Sequence, residues 1–209
     1  MSGFGAMMVG TYAVPASPVA ASASAYYPAD VQYATLTVEE TSAFPALGTG
    51  QFTVEAWIYP TENNNSRPIF DTRRWNSSAT GFLLRQNGAN GFLFAYTASA
   101  TLWSTTTGYT TNTWQHIALV RDASNVVKLY VNGTALSGAS GTASNNYTDR
   151  FFRLGGFTDD LATGSVYKGY IDEVRLSNTA RYTGNFTPST TPFTSDANTY
   201  FLFHADGSN

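Results

Sequence analysis

Residues 51–59 read Gln-Phe-Thr-Val-Glu-Ala-Trp-Ile-Tyr, and the spacing of their apolar side chains decides the fold class. On an extended chain, successive side chains point to opposite faces. One face then carries Phe52, Val54, Ala56 and Ile58, and the other carries Thr53, Glu55, Trp57 and Tyr59. A period of two is typical of a β-strand, whereas an amphipathic helix repeats after about 3.6 residues. The stretch is therefore predicted to be a strand with one wholly apolar face.

The same period recurs along the chain from Val31 onward. Further predicted strands cover residues 34–38, 67–71, 81–86, 91–96, 114–121, 126–131, 151–154, 168–176 and 199–205. Asn-Gly pairs lie beside several of them, and this pair supplies the positive φ angles of a tight hairpin. No window of eleven residues keeps a helical apolar stripe free of Gly and Pro. The pattern predicts an all-β fold in which two antiparallel sheets form a sandwich.

The composition excludes several classes of function. Charged residues make up 12% of the 209 residues, about half the usual share, and aromatic residues make up 15%. The net charge is −3 and the basic residues are scattered, so no nucleic-acid partner is expected. Cysteine is absent, which excludes disulfides and thiol catalysis. No segment approaches the roughly 18 apolar residues of a membrane span, so no membrane insertion is expected.

Residues 1–28 differ from the rest of the chain, because they consist mainly of Ala, Ser, Pro, Val, Gly and Met and lack both periodicities. We expect an extended N-terminal arm followed by one domain at 29–209. A disordered terminus is the alternative. Five side chains make this segment more apolar than a solubilising tail and favour docking of the arm on a neighbouring subunit: Met7, Met8, Tyr12, Tyr26 and Tyr27. The first basic residue is Arg67, so no Sec-type signal is expected.

Four segments, in this order and spacing, resemble a known family: FTVEAWIYP at 52–60, WQHIALVR at 114–121, VKLYVNG at 127–133 and GYIDEVRLS at 169–177. They resemble the concanavalin A-like lectin/glucanase superfamily, in its laminin G-like, pentraxin-related branch. The resemblance implies a jelly-roll sandwich that binds carbohydrates or proteins, often with calcium at one rim. It covers about residues 50–182.

Two further segments carry a resemblance. Residues 178–188 look like versions of this domain in phage structural proteins, which implies a place on a virion. Residues 198–207 resemble the strand that commonly opens such a domain, although here it closes the chain. A permuted strand that fills the same sheet position is one explanation, and the start of a second repeat is the other.

The sequence does not place a pair of catalytic carboxylates. Glycoside hydrolysis needs two acids on either side of one bond, and the Glu-x-Asp-x-x-Glu run of glucanases with this fold is absent. Glu55 is the best single candidate, but alternation gives it no acidic neighbour on its own face. Asp172 and Glu173 are adjacent on a predicted strand and are expected to point to opposite faces. We therefore predict no enzymatic activity.

A nucleophilic triad is not expected either. The two histidines are His116 and His204, and no Gly-x-Ser-x-Gly elbow accompanies them. His116 lies in the middle of a predicted strand and is expected to be a hydrogen-bonded core residue.

Sugar recognition needs flat aromatic faces together with planar polar groups, and two predicted loops supply them. The predicted ligand-binding residues are Arg73, Arg74, Trp75 and Asn76 in the first loop and Tyr96, Trp103 and Tyr109 in the second. The alternative for each aromatic ring is that it closes the rim of the sandwich. Trp57 and Trp114 belong to strand motifs and are expected in the core or in a second layer.

Calcium needs six to eight oxygen ligands, and the acidic residues that can converge are Asp71, Asp159, Asp160 and Asp172. The alternative is that Asp172 accepts protein hydrogen bonds while Glu173 pairs with Arg175 or Arg121. We assign no metal ligand and no cofactor, and the calcium question stays open.

Two functions follow from these observations. The first is a non-enzymatic virion structural protein, a capsid decoration or a tail or fibre component, assembled in the host cytoplasm. It would form a homo-oligomer, expected to be a trimer, with other virion proteins as partners. The alternative is the carbohydrate-binding module of a cell-surface or secreted adhesin that binds cell-surface glycans with or without calcium.

Overall fold

The computed structural model describes residues 25–27, 36–38, 45–63, 67–74, 80–88, 90–97, 100–156 and 166–205. Within these residues there are thirteen strands and no helix. The strands are β1 (Ala25–Tyr27), β2 (Leu36–Val38), β3 (Phe52–Pro60), β4 (Arg67–Asp71), β5 (Leu83–Asn87), β6 (Gly91–Thr97), β7 (Ala100–Ser104), β8 (Gln115–Arg121), β9 (Val126–Val131), β10 (Thr134–Thr142), β11 (Phe152–Leu154), β12 (Gly169–Ser177) and β13 (Thr199–Phe203).

The strands form two antiparallel sheets, which confirms the predicted sandwich. The larger sheet has the order β1-β12-β3-β8-β9-β10, and β13 also pairs with β12. The smaller sheet has the order β2-β11-β4-β5-β6-β7. No described residue belongs to a helix with the length and hydropathy that crossing a membrane requires.

The core between the sheets is built from the apolar face of β3, as its alternation predicts. Phe52, Val54, Ala56 and Ile58 have no exposed surface. Phe52 stacks on Phe82 with ring centroids 5.0 Å apart. Full burial of a Phe, Val or Ile side chain contributes roughly 1.5–3 kcal/mol.

The sequence pattern misses three strands, β1, β7 and β10. β1 is three residues long and belongs to the predicted arm. β10 reads Thr-Ala-Leu-Ser-Gly-Ala-Ser-Gly-Thr and is mostly exposed, so it has no apolar face to reveal its period. Its register with β9 shifts between Ala135 and Ser140. β7 is short, and it lies in a stretch rich in Thr and Ser, a composition that predicts a loop.

The last residues of the predicted arm belong to the larger sheet. In β1, Ala25, Tyr26 and Tyr27 pair with Ile171, Tyr170 and Gly169. The side chains of β1 and the residues Met7, Met8 and Tyr12 lie outside the described part of the chain. Docking of the arm on a neighbouring subunit stays a prediction.

A bulge interrupts β12 beside β3. Asp172 pairs with Trp57 and Arg175 pairs with Glu55, so two residues of β12 face a single residue of β3. Glu173 takes the left-handed φ of 50° that such a bulge uses. The prediction that Asp172 and Glu173 point to opposite faces assumed an unbroken strand, and the bulge removes that assumption.

Candidate functional site

The outer face of the larger sheet carries the side chains that alternate with the core residues of β3, β8 and β12. Strand pairing arranges them in rows across the sheet. The rows are Tyr170 with Tyr59, Asp172 with Trp57 and His116, Arg175 with Glu55 and Ala118, and Ser177 with Thr53 and Val120. Trp114 directly precedes β8 and extends the first row. What covers each row decides which side chains a ligand can reach.

Residues 178–198, called the strap from here on, run across this outer face between β12 and β13. Phe186 and Phe193 meet the His116 ring edge-on, with centroids 5.7 and 6.1 Å away. The indole nitrogen of Trp57 donates a hydrogen bond to a strap carbonyl at 3.3 Å. These strap contacts lie on the middle rows of the sheet face. The first row lies beyond them, at the end of the strands.

Beneath the strap, the carboxylate of Glu55 is the centre of a buried polar network. Its Oε2 lies 3.2 Å from Nε2 of His116 and accepts a hydrogen bond of 2.7 Å from the Tyr182 hydroxyl. Its Oε1 lies 2.7 Å from Nη2 and 2.9 Å from Nε of Arg175. Because Tyr182 belongs to the strap, the network ties the strap to the sheet.

Burial by itself raises the pKa of Glu55, but the groups around it outweigh this effect. The hydrogen bond from His116, the charge of Arg175 and the hydroxyl of Tyr182 together hold the pKa of Glu55 below its usual value. Burial and the neighbouring carboxylate raise the pKa of Tyr182. The network is therefore stable as an ionised carboxylate held by a neutral phenol and a guanidinium.

These contacts confirm the prediction that His116 is a hydrogen-bonded core histidine. Its ring has no exposed surface, and its Nε2 carries the proton that the Glu55 carboxylate accepts. Glu55 also has no exposed surface. In this arrangement its carboxylate holds the strap in place and is out of reach of a substrate.

The predicted partners of Glu173 were wrong. Oε1 of Glu173 lies 2.6 Å from Nδ1 of His204, and its Oε2 accepts a hydrogen bond of 2.6 Å from the backbone NH of Phe193. Arg175 is taken by Glu55, and Arg121 binds the Asn125 side chain at 2.7 Å. The bulge turns Glu173 towards β13 and the strap, a displacement that alternation cannot anticipate.

The first row lies beyond these strap contacts and contains three aromatic rings, called the aromatic row from here on: Tyr170, Tyr59 and Trp114. Tyr59 lies 5.6 Å from each of the other two ring centroids. Tyr170 is buried, while Tyr59 and Trp114 are half-buried and present part of each ring to solvent. Trp57 lies in the second layer, as predicted, but Trp114 reaches the surface because it stands one residue before β8.

Polar side chains border the aromatic row. The backbone NH of Thr61 donates to the carbonyl of Lys168 at 3.1 Å, which continues the pairing of β3 and β12 outward. On the side of β8, the backbone NH of Asn112 donates to the carbonyl of Pro60 at 2.7 Å. The side chains of Thr61 and Asn112 are exposed. The segments next to the aromatic row therefore carry a hydroxyl, an ammonium and an amide group.

The ligand-binding residues predicted from sequence do not lie on this row. Trp103 and Tyr109 are only 6% and 4% exposed, and they pack on Phe94 and Phe92 in the core. Their prediction as exposed ligand contacts is wrong, because Trp103 lies on the inner face of β7 and Tyr109 closes the core beside it.

The other predicted loop is only partly described. Arg73 is buried and its Nε lies 2.9 Å from Asp71 Oδ1, and its role as a ligand contact stays a prediction. Arg74 is exposed, and its backbone NH donates to Asp149. The remaining predicted residues, Trp75 and Asn76, and the side chain of Tyr96 lie outside the described part of the chain.

Sequence reasoning missed Tyr59, Trp114 and Tyr170 as a surface. The available signal was the second face of residues 51–59, where Trp57 and Tyr59 alternate with the core residues. The alternation of side chains along β3 does not show which of its outer residues the strap covers.

The described residues do not fit a calcium site. No three acidic or histidine side chains converge in the ranges that the structure covers. Asp71 is paired with Arg73, and Oδ1 of Asp172 accepts the backbone NH of Glu173 at 2.8 Å. Asp159 and Asp160 lie outside these ranges.

A two-sheet antiparallel sandwich with aromatic rings on an open part of one sheet face places the protein among the lectin-like β-sandwiches. The model of the concanavalin A-like lectin/glucanases superfamily matches residues 30–184, which is most of the chain. The protein belongs to this superfamily, and the predicted family is confirmed. A comparison with curated proteins finds no match.

Several solved structures share the fold at low sequence identity. A Bacteroides ovatus protein, described as a candidate carbohydrate-binding protein, is 19% identical with a TM-score of 0.59, and the match covers 83% of this chain and 49% of that one. This chain thus spans about half the length of the Bacteroides protein. The heptameric SAP-like pentraxin of Limulus polyphemus is 15% identical with a TM-score of 0.57, covering 88% and 91%. The CBM40 domain of the Ruminococcus gnavus IT-sialidase, bound to α2,3-sialyllactose, is 15% identical with a TM-score of 0.52, covering 70% and 94%.

Proposed function

We propose that the protein is a non-catalytic carbohydrate-binding module that binds an oligosaccharide on the aromatic row. The observation that carries this proposal is that Tyr59 and Trp114 are only half-buried, on a sheet face whose middle rows the strap covers. A ring that keeps part of its surface in water gains free energy when a ligand covers it, because burial of aromatic surface is strongly favourable. One of the structures that share the fold, the Ruminococcus gnavus CBM40 domain, is bound to α2,3-sialyllactose, which agrees with this function.

The chemistry of the row suits a sugar. The apolar face of a sugar ring can stack on Trp114 and Tyr59, whose planes meet at 61° and form an angled surface. The exposed Thr61 and Asn112 side chains supply hydroxyl and amide groups that can bond to sugar hydroxyls. The rings stand at the ends of paired strands, so little conformational entropy is lost when a ligand binds.

The test is binding of the purified protein to a glycan array, followed by calorimetry with the best oligosaccharide. Trp114→Ala should weaken binding by at least about tenfold, because truncation of an aromatic anchor costs about 1.4 kcal/mol or more. Trp114→Phe keeps a flat ring and should retain most of the affinity.

The matched control is Trp103→Phe, which changes the same residue type in the core. It should leave binding unchanged, and thermal unfolding checks that each variant is folded. A wild-type protein that binds no glycan, or a folded Trp114→Ala variant with unchanged affinity, would contradict the proposal.

The more specific function predicted from sequence is that of a virion protein, and it stays a prediction. The two functions are compatible, because a virion protein can carry a carbohydrate-binding module. Both functions need a folded domain with one exposed binding surface. Mass spectrometry of purified particles would detect the protein there. Light scattering after size-exclusion chromatography would distinguish the predicted trimer from a monomer or another oligomer.

A further inference from the structure

A small cluster of charges lies next to the aromatic row, in a chain with few charged residues. Lys168 directly precedes β12, and its carbonyl accepts the backbone NH of Thr61, two residues beyond Tyr59. This hydrogen bond continues the pairing of Tyr170 with Tyr59 outward and places the Lys168 backbone next to the aromatic row. Its ammonium group lies 3.4 Å from Oε2 of Glu62.

Two cations share one carboxylate in this cluster. Oε1 of Glu62, whose Oε2 lies near Lys168, also lies 2.8 Å from Nε of Arg67. Lys168 therefore shares this carboxylate partner with a guanidinium, in a chain whose net charge is −3.

Lys168 is the cation of the pair that a ligand can reach. Its side chain is 22% exposed, against 10% for Arg67. Glu62 is held more closely by Arg67 than by Lys168, by the two distances above. A lysine ammonium has three donors, so Lys168 can keep Glu62 as a partner and still donate to an anion at the edge of the rings.

We propose that this site selects acidic oligosaccharides, and that Lys168 binds the sugar carboxylate while the aromatic row stacks on the sugar. The inference rests on the proposed function above and names its substrate class. A hydrogen bond between ionised groups is stronger than one between neutral groups, by roughly a factor of two. The charge cluster therefore gives an acidic sugar an advantage that a neutral sugar of the same shape lacks.

The experiment compares pairs of oligosaccharides that differ only in whether a carboxylate is present. Suitable pairs are the methyl ester of sialyllactose with sialyllactose itself, and a galactose oligomer with the galacturonic acid oligomer of the same length. The acidic member should bind about tenfold more tightly or better, because a hydrogen bond between charged groups adds to the stacking. The preference should shrink as the salt concentration rises, because half-exposed charges are screened.

Variants separate the charge from the rings. Lys168→Met should remove the preference and leave the affinity for the neutral member unchanged, and Lys168→Arg should keep the preference. Lys128→Met is the matched control, since these two are the only lysines of the chain and Lys128 lies on β9. That control should behave as wild type.

The outcomes distinguish this inference from the proposed function. Neutral members that bind as well as or better than acidic ones would overturn the acidic selectivity and leave the carbohydrate-binding module intact. A preference that persists in Lys168→Met would likewise overturn the role of this residue. Binding to neither member of any pair would overturn both proposals together.

Discussion

Replacement of Glu55 by Gln tests whether the buried network holds the strap on the sheet. The variant keeps the shape of the side chain but removes the charge that Arg175, His116 and Tyr182 share. Loss of one partner from a buried ion pair costs about 3–5 kcal/mol, because the other charge stays buried. Arg175 keeps some exposure, with 12% of its side chain accessible, so we expect the lower end, about 3 kcal/mol.

Urea unfolding followed by tryptophan fluorescence measures this loss as a shift of the midpoint. The thermal midpoint should fall by roughly 6–12 °C, since 1 kcal/mol corresponds to about 2–4 °C in a protein of this size. Glu62→Gln is the matched control, because Glu62 forms a partly exposed ion pair that contributes at most about 1 kcal/mol. A double-mutant cycle with Tyr182→Phe should give a coupling free energy of about 0.5–3 kcal/mol.

The pH dependence gives an independent check. The pKa of Glu55 is lower in the folded protein than in the unfolded chain, so its stabilisation is complete above the unfolded pKa of about 4.3. It is lost as the pH falls below that value. Wild type should therefore lose more stability than Glu55→Gln between about pH 5 and pH 3. If Glu55→Gln costs less than about 1 kcal/mol and leaves this acid profile unchanged, the strap does not depend on the network.

Three further predictions concern the core and the strap. Trp103→Ala should destabilise the fold by about 3–5 kcal/mol in urea unfolding, because its ring stacks on Phe94, yet the folded fraction should bind glycan like wild type. Gly133→Ala should loosen the strap, because Gly133 has a φ of 76° and a Cβ there would lie 1.8 Å from the carbonyl oxygen of Phe186; limited proteolysis would show earlier cleavage in the strap. The raised pKa of Tyr182 means that its stabilisation is present below about pH 10 and is lost as the pH rises further, so alkaline unfolding should be less steep in Tyr182→Phe.

The second face of β3 shows how far a sequence pattern reaches. Alternation separated Phe52 and Ile58 from Glu55 and Trp57 correctly, and the first pair is in the core. The pattern did not distinguish Trp57 from Tyr59, although the strap covers the first and leaves the second half-exposed. Trp57 is covered by a strap residue that lies 132 positions away in the chain. Such a tertiary contact leaves no signal in the local sequence.

The wrongly assigned aromatic residues have a similar cause. Trp103 lies among Ser and Thr, a composition typical of loops, but hydrogen bonding to β6 makes its segment an edge strand whose inner face meets the core. The register of that pairing depends on the neighbouring strand. The sequence alone therefore predicted an exposed ring for Trp103, which is buried in the core.

By itself, the sequence determined the all-β class, the apolar face of β3, the core position of His116 and the family, because each depends on local alternation or on motifs that lie within one strand. Only the tertiary structure decided that Glu55 holds the strap, that the bulge at Glu173 redirects its carboxylate, and that Trp114 and Tyr59 stay half-buried. Those features depend on which distant segments pack against one another, and a period of two is the same whichever segment covers the strand.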